Sequence, residues 1–251
     1  MLGKAKIKQI KSLEYKKFRD ELGLFVAEGE KLVSEILQSN LQIDSLFCLP
    51  DAILPNNNNI QATIISEGEM KHISFLKTPS SAFVVAKIPN RKINTNQISR
   101  SLNIILDGIQ DPGNLGTIIR LCDWFGIQNV ICSLKTADCF SPKAVQATMG
   151  AICRINVVYV EPDDFLNSVG KNISIYGTFL DGENIYDAKL SSKGLIIMGN
   201  EGKGISPEIE KHVNQKLCIP CFSDSATKSE SLNVSVATAI VCSEFKRRHF
   251  L

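Results

Sequence analysis

The sequence contains no run of about 18 apolar residues, so nothing in it argues for a membrane span. Its start is rich in lysine but has no apolar core of the kind a secretory signal needs, which points to a cytoplasmic protein. Both phosphate-loop spacings, GxGxxG and GxxxxGKS/T, are absent, which removes the usual signs of a dinucleotide or nucleoside-triphosphate site. Histidine is scarce, and His72, His212 and His249 form no metal spacing. A net charge of only +2 excludes a polycation.

The eight cysteines are scattered, most of them among apolar neighbours, as in "LFCLP", "VICSL" and "IVCSE". That usage suits reduced, buried thiols. Only Cys218 and Cys221 form a CxxC pair, within "KLCIPC". On a strand, residues three apart point to opposite faces, which argues against a shared metal or an easy redox pair. No second CxxC or HxxxH completes a site, so no metal is expected.

Basic residues are unevenly distributed. Lys4, Lys6, Lys8, Lys11, Lys16, Lys17 and Arg19 crowd the first 19 residues, and Lys246, Arg247 and Arg248 lie near the other end. Such clusters suit phosphate backbones, but they are more often solvated charged faces.

Two halves can be distinguished. Residues 1–88 combine a basic helical start, a helix near "EGEKLVSEILQS", short β-like runs ("IDSLFCL", "ATIIS", "AFVVAKI") and an Asn-rich surface turn at 54–60. Residues 89–101 are polar, without an apolar period, and read as a linker. From 102 to 251, near-continuous apolar runs at 103–107, 129–133, 155–160, 173–179, 194–199 and 216–220 alternate with helical patterns at 114–126, 142–151, 163–170, 206–213 and 231–247. This pattern predicts an α/β fold with a parallel sheet covered on both faces. Ligands in such folds sit beyond the carboxyl ends of the strands, so the loops after the strands carry the chemistry.

Four of these loops are unusual. In "DPGNLGTIIRLCDWFGI", Asn114 is placed to cap a helix beginning at Leu115. Arg120 lies in that helix among apolar neighbours, so its guanidinium must snorkel, pair with an acid or face a polar ligand. Helical counting sets Asn114 and Arg120 about 120° apart, so periodicity alone does not bring them together. "GLIIMGNEGKGIS" ends an apolar strand in three glycines and one carboxylate. Glu201 would repel an anion, so this loop suits a neutral or cationic ligand, or is an ordinary βα turn. "GTFLDG" follows another strand, and "CFSDSATKSESLN" precedes a small-residue helix with more polar groups than one cap needs, among them Ser229, Glu230, Ser231 and Asn233.

Together, "DGIQDPGNLGTIIRLCDWFGI", "IIMGNEGKGIS" and "IP…SESLNVSVATAI" resemble, in order and spacing, the three motifs of the SpoU (TrmH-like) branch of the SPOUT RNA methyltransferases. "IKSLEYKKFRDELGLFVAEGEKLVSEIL" resembles the small L30e-like substrate-binding domain that many members carry. The resemblance implies transfer of a methyl group from S-adenosyl-L-methionine (AdoMet) to a ribose 2′-hydroxyl of ribosomal or transfer RNA. It also implies a C-terminal trefoil knot and a homodimer. By matching positions, Gly199, Ile219 and Leu232 would contact AdoMet, with Thr178 and Asn200 as neighbours. Asn114, Arg120, Glu201, Ser231 and Asn233 fall on the polar active-site positions, with Glu201 expected to orient Arg120 or the neighbouring loop.

The sequence departs from the family pattern in places. The usual "IPM-x-G" entry to the third motif is replaced by "IPCFSDSATKSESLN", which is longer and lacks the glycine. Gln146 stands where a basic residue is common, and Asn156 where a proline is. Two other readings compete: a non-catalytic RNA-binding or assembly protein of the same fold, which should have lost the polar motif residues, and a dehydrogenase-like enzyme, which should carry the missing dinucleotide fingerprint.

Overall fold

The computed structural model describes the chain except Met1, residues 56–59, Lys171 and residues 224–230 and 249–251, together with the side chains of 96 and 97. His249, Ser229, Glu230 and most of the 54–60 turn therefore lie outside the described residues. The chain divides into two compact units, residues 1–90 with 138–154, and residues 91–137 with 155–251.

The first unit begins with helices α1 (Lys4–Ser12) and α2 (Lys16–Leu22), then strand β1 (Leu24–Glu28) and helix α3 (Glu30–Leu37). Strands β2 (Ile43–Cys48) and β3 (Thr63–Ile64), helix α4 (Glu67–Ile73) and strand β4 (Ala82–Lys87) follow. The sheet order is β1-β4-β2-β3, with β4 antiparallel to both β1 and β2. Its core includes Ile10, Leu13, Val26, Phe47, Met70 and Phe83. β1 is buried at all five positions, so it has no polar alternation to mark it as a strand.

Residues 138–154 complete this unit. Phe140 stacks against Phe25 at 5.0 Å between ring centroids. Arg19 is 2% exposed, and its Nη2 pairs with Asp138 Oδ2 at 2.6 Å while Nη1 donates to the carbonyls of Leu13 and Glu14. Burying a guanidinium requires this degree of pairing. Much of the basic N-terminal cluster is thus structural, since Lys6 pairs with Asp44, Lys16 with Asp20, and Lys11 donates to the carbonyl of Ser74. Lys4, Lys8 and Lys17 remain exposed.

The second unit holds a parallel six-stranded sheet, as the sequence predicts, in the order β10-β8-β9-β5-β6-β7. It begins with a helical turn, α5 (Thr95–Ile98), inside the segment read as a linker; the buried Ile98 anchors that turn. Then come β5 (Leu102–Leu106), α6 (Pro112–Trp124) and β6 (Asn129–Ser133). Helix α7 (Pro142–Thr148) belongs to the first unit, and β7 (Asn156–Val160) and α8 (Pro162–Ser168) return the chain to this sheet. β8 (Ile175–Asn184), β9 (Gly194–Met198), α9 (Pro207–Glu210), β10 (Gln215–Cys218) and α10 (Val234–Arg247) complete it.

β5 and β9 are buried throughout, as a doubly covered parallel sheet requires. Phe165 and Leu166 of α8 pack with Ile105, Ile131 and Ile197. α10 packs along α6, and its Phe245 meets Tyr176 of β8 edge-on at 4.9 Å. Five of the eight cysteines are buried, including Cys122 and Cys242; burial pushes the Cys242 thiol up to about 12.

An asparagine ladder pins the amino ends of three strands. Asn129 donates to Asn103 (2.9 Å) and Asn156 to Asn129 (3.0 Å), while the buried Asn103 donates to the carbonyls of Ile98 and Ser101. Asn156, where the family commonly has proline, therefore has a structural use here.

The pH dependence of the first unit follows from α4. Ser66 and Glu69 cap that helix reciprocally, and Glu69 also accepts from the backbone of Leu2. Hydrogen bonds from the Ser66 and Leu2 backbones hold its carboxyl down to about 2, from an ordinary 4.5. A depressed folded-state value gives stability that is present above 4.5 and lost as the pH falls towards 2. Thermal melts of Glu69→Gln should therefore show a shallower decline than the parent between pH 4.5 and 2; parallel declines would contradict this.

Candidate active site

In the strand order, β5 is flanked by β6 on one side and by β9 on the other, where the winding direction reverses. In sheets of this kind ligands sit in the crevice beyond the carboxyl ends of the strands at such a point, here β5 and β9. Asp107 follows β5, donates its N–H to the carbonyl of Met198 (2.9 Å) and accepts the N–H of Ser206 on its buried carboxylate (2.7 Å). It thereby ties the end of β5 to the start of α9. The sequence signal for it, an acid closing an apolar run, was visible, but Asp107 was not among the expected site residues.

The loop after β9 is a rigid hairpin. Asn200 and Gly204 exchange two backbone hydrogen bonds of 2.9 Å. Asn200 Nδ2 donates to the carbonyl of Gly108 (2.7 Å), and its Oδ1 accepts the N–H groups of Gly202 and Lys203 (3.0 Å each). A Cβ at Gly199 would lie 2.3 Å from the carbonyl carbon of Gly204, so only glycine fits there. Asn200 is thus committed to the loop through both ends of its carboxamide.

The helix cap expected at Asn114 is instead made by Asp111. α6 starts at Pro112, and Asp111 Oδ1 accepts the N–H of Asn114 at 2.9 Å. The proline, suited to a first helical position, sets the start three residues before the expected Leu115. Asn114 then lies inside the first turn with its side chain free for other partners. Its Nδ2 donates to Glu201 Oε1 (3.0 Å), and its Oδ1 accepts from Asn233 Nδ2 (3.1 Å). Asn233 caps α10, with its Oδ1 accepting the N–H of Ser235 (3.0 Å) and the Ser235 hydroxyl (2.6 Å). Because that cap requires an oxygen, Asn233 must present its NH₂ to Asn114. Asn114 must then answer with oxygen and turn its own NH₂ to Glu201. Residues 114, 201 and 233 form one directional chain ending on a carboxylate.

The remaining expected residues are arranged as follows. Arg120 is exposed on α6 and makes no hydrogen bond or ion pair with a described residue, so Glu201 is held by Asn114 and not by Arg120. Ser231 is exposed and bonds to no described residue. Thr178 donates to the carbonyl of Ile197 (3.3 Å), joining β8 to β9. The sheet order sets Thr178, Gly199 and Ile219 at the carboxyl edge of the neighbouring strands β8, β9 and β10. Leu232 is half exposed and directly precedes Asn233. Between Gly177 and Glu183, β8 leaves its ladder with β10, and a Cβ at Gly182 would lie 2.5 Å from the backbone of Leu217. The C-terminal basic cluster is largely internal. Glu244 binds Arg247 and Arg248, and Arg248 also donates to the carbonyls of Ile185, Tyr186 and Ala188. Among the described residues no group of three or more His, Cys, Asp or Glu could hold a metal ion.

A parallel α/β sheet that gathers a glycine hairpin and a carboxamide chain at its switch point, without a phosphate-loop spacing, has the layout of an α/β enzyme with its candidate site at that edge. The chain belongs to the SpoU rRNA Methylase family, whose model matches residues 101–243. A second model, the MRM3-like substrate binding domain, matches residues 4–84. Among curated relatives, the 23S rRNA (guanosine(2553)-2′-O)-methyltransferase RlmP of Bacillus subtilis is 31% identical over 94% of each chain. The 23S rRNA (guanosine-2′-O-)-methyltransferase RlmB of Neisseria meningitidis is 32% identical over 60% of each. Among solved structures, a TrmH-family RNA methyltransferase from Porphyromonas gingivalis superposes with a TM-score of 0.87 at 37% identity, covering 99% of both chains. An AdoMet-bound rRNA methyltransferase from Sinorhizobium meliloti superposes at 0.83 with 28% identity, covering 100% of this chain and 97% of its own. The protein is an RNA methyltransferase.

The double duty of Asn233 can be separated by mutation. Asn233→Ala should cost about 1 kcal/mol of stability through the lost cap and should also depress methyl transfer. Asn233→Ser keeps a capping oxygen but cannot reach Asn114, so it should recover the stability and not the activity. Urea denaturation beside a methyl-transfer assay checks this, and recovery of both by serine would remove the role given to the Asn114 contact.

Proposed function

We propose that this protein transfers the methyl group of AdoMet to a ribose 2′-hydroxyl of ribosomal RNA. The observation that carries the reading is the Glu201–Asn114–Asn233 chain, which gathers three polar motif positions at one crevice. A non-catalytic relative would have no need to keep these residues, still less in mutual contact.

The residues fit the methyl donor. Glu201 makes the backbone N–H groups of the glycine hairpin unsuited to a phosphate and suited to a cationic or neutral ligand. Leu180, Phe222 and Leu232 are 79%, 82% and 50% exposed, which leaves apolar surface after Thr178, after Ile219 and before α10. Gly199, Ile219 and Leu232, with Thr178 and Asn200 behind them, would hold the adenosine and methionine parts through backbone groups and apolar contact. When bound, AdoMet supplies an activated methyl group on a sulfonium.

The remaining work falls to the protein's own side chains. Catalysis of a direct transfer consists largely of alignment. Asn114, fixed in orientation by Asn233, and Glu201, fixed by Asn114, form a rigid polar wall. Arg120 is left free to engage the phosphate or hydroxyl of the target nucleotide. A guanidinium keeps its proton at neutral pH, so its part is to orient and to stabilise developing negative charge. Ser231, exposed ahead of α10, is available to the substrate.

Ribosomal RNA is preferred over transfer RNA because the relative matched over nearly the whole chain carries that activity in its name, and the first unit matches a substrate-binding model. A homodimer is supported by Trp124 on α6 and Val236 on α10, which are 84% and 48% exposed. A knotted C-terminus is supported by the tight passage of β10 against Gly182.

Arg120→Ala should abolish transfer of a tritiated methyl group to ribosomal RNA and leave calorimetric AdoMet binding within about twofold, because an exposed side chain with no partner among the described residues holds none of their loops in place. Loss of both together would remove Arg120 from the substrate side. Mapping of 2′-O-methyl positions in a deletion strain should reveal one missing site in ribosomal RNA; a site missing from transfer RNA would reassign the substrate.

A further inference from the structure

The hairpin after β9 carries a second charged residue that the reaction as described does not use. Lys203 is exposed at its tip, two residues from Glu201, and makes no hydrogen bond or ion pair with a described residue. Its position is nonetheless fixed. Its backbone N–H is held by Asn200 Oδ1 (3.0 Å), that carboxamide is anchored to the carbonyl of Gly108, and the Asn200–Gly204 bridge closes the hairpin beneath it. Gly199 removes any slack, since nothing larger fits against Gly204. The hairpin therefore presents an ammonium with no ion-pair partner among the described residues, on a rigid base beyond the carboxyl end of β9.

The charges around it sharpen the point. Glu201, the acid on the same tip, is engaged by Asn114. Arg120, the other cation of the site, is likewise exposed and unpaired among the described residues. Many of the chain's other basic side chains are committed, Arg19, Arg154, Arg247 and Arg248 among them. A cation held free beside a site for a polyanion is matched to phosphate, and a lysine acts there as a point charge.

We infer that Lys203 is a substrate-positioning residue that contacts a backbone phosphate of the RNA strand next to the target nucleotide. The inference rests on the RNA methyltransferase reading and adds a residue to it. Arg120 serves the reacting nucleotide, and Lys203 sets the register of the strand entering the crevice. A contact of this kind carries no base information, so it should weaken all RNA alike and be sensitive to salt.

The test uses the full chain and ribosomal RNA from a deletion strain. Lys203→Ala should raise KM for RNA about three- to tenfold with little change in kcat, and AdoMet affinity by calorimetry should be unchanged. In direct RNA binding, the slope of log Kd against log salt should fall by about 0.7 for a single-stranded contact. Lys203→Arg should restore both the slope and KM, and Lys203→Glu should weaken binding further. An unchanged salt slope in Lys203→Ala, or a fall in kcat and AdoMet affinity together, would overturn the assignment and make Lys203 part of the loop's scaffold. The binding arm does not depend on turnover. A parent protein that binds RNA with a Lys203-dependent slope but transfers no methyl group would refute the enzyme reading and leave this one standing.

Discussion

The active crevice depends on one oxygen, the Oδ1 of Asn233. It closes the amino end of α10, which a helix of 14 residues needs for its unpaired N–H groups. With that oxygen committed, Asn233 can face Asn114 only with its amide nitrogen, and the polarity passes to Glu201 without a choice at any step. A helix cap thus decides which way the carboxamides of Asn233 and Asn114 point. The consequence is rigidity where alignment matters, because turning any one amide over would break a hydrogen bond at each end.

The same economy appears around the crevice. Asn200, expected beside the cofactor, and Asp107 are both engaged with neighbouring loops. They hold the glycine hairpin and α9 against the end of β5, so that exposed groups such as Arg120 and Lys203 stand on a fixed base. Among the described residues the cations Arg120 and Lys203 are left without a partner, and the carboxamides of Asn114, Asn200 and Asn233 are spent within the protein. This division follows from cost: a neutral amide loses little by bonding internally, whereas an ammonium or guanidinium is best left hydrated until an anion arrives.

Some of this was legible beforehand. The six strands of the second unit announced themselves as apolar runs because both faces of a parallel sheet are buried. The three motif loops could be picked out because glycine, proline and polar residues cluster there against an apolar background. β1 was not legible, since five buried residues between two helices show no period that separates strand from helix. The start of α6 lies three residues before the expected Leu115 because Asp111 and Asn114 are both good caps, and only the turn at Pro112 settles which one serves. The basic N-terminus gave an ambiguous signal. Its most buried member, Arg19, pairs with Asp138, 119 residues away, and no local pattern could reveal that.

What the sequence by itself determined was the class of fold and the set of polar residues available for chemistry, since both are written in local patterns of apolar and turn-forming residues. The tertiary structure alone decided which of those residues meet. Glu201 and Asn233 lie 87 and 119 positions from Asn114, and their contacts with it exist because parallel strands deliver all their following loops to one edge of the sheet. It also decided that Glu201 is held by Asn114 and not by Arg120, because hydrogen-bond partners are chosen by distance and direction in space, which spacing along a chain does not encode.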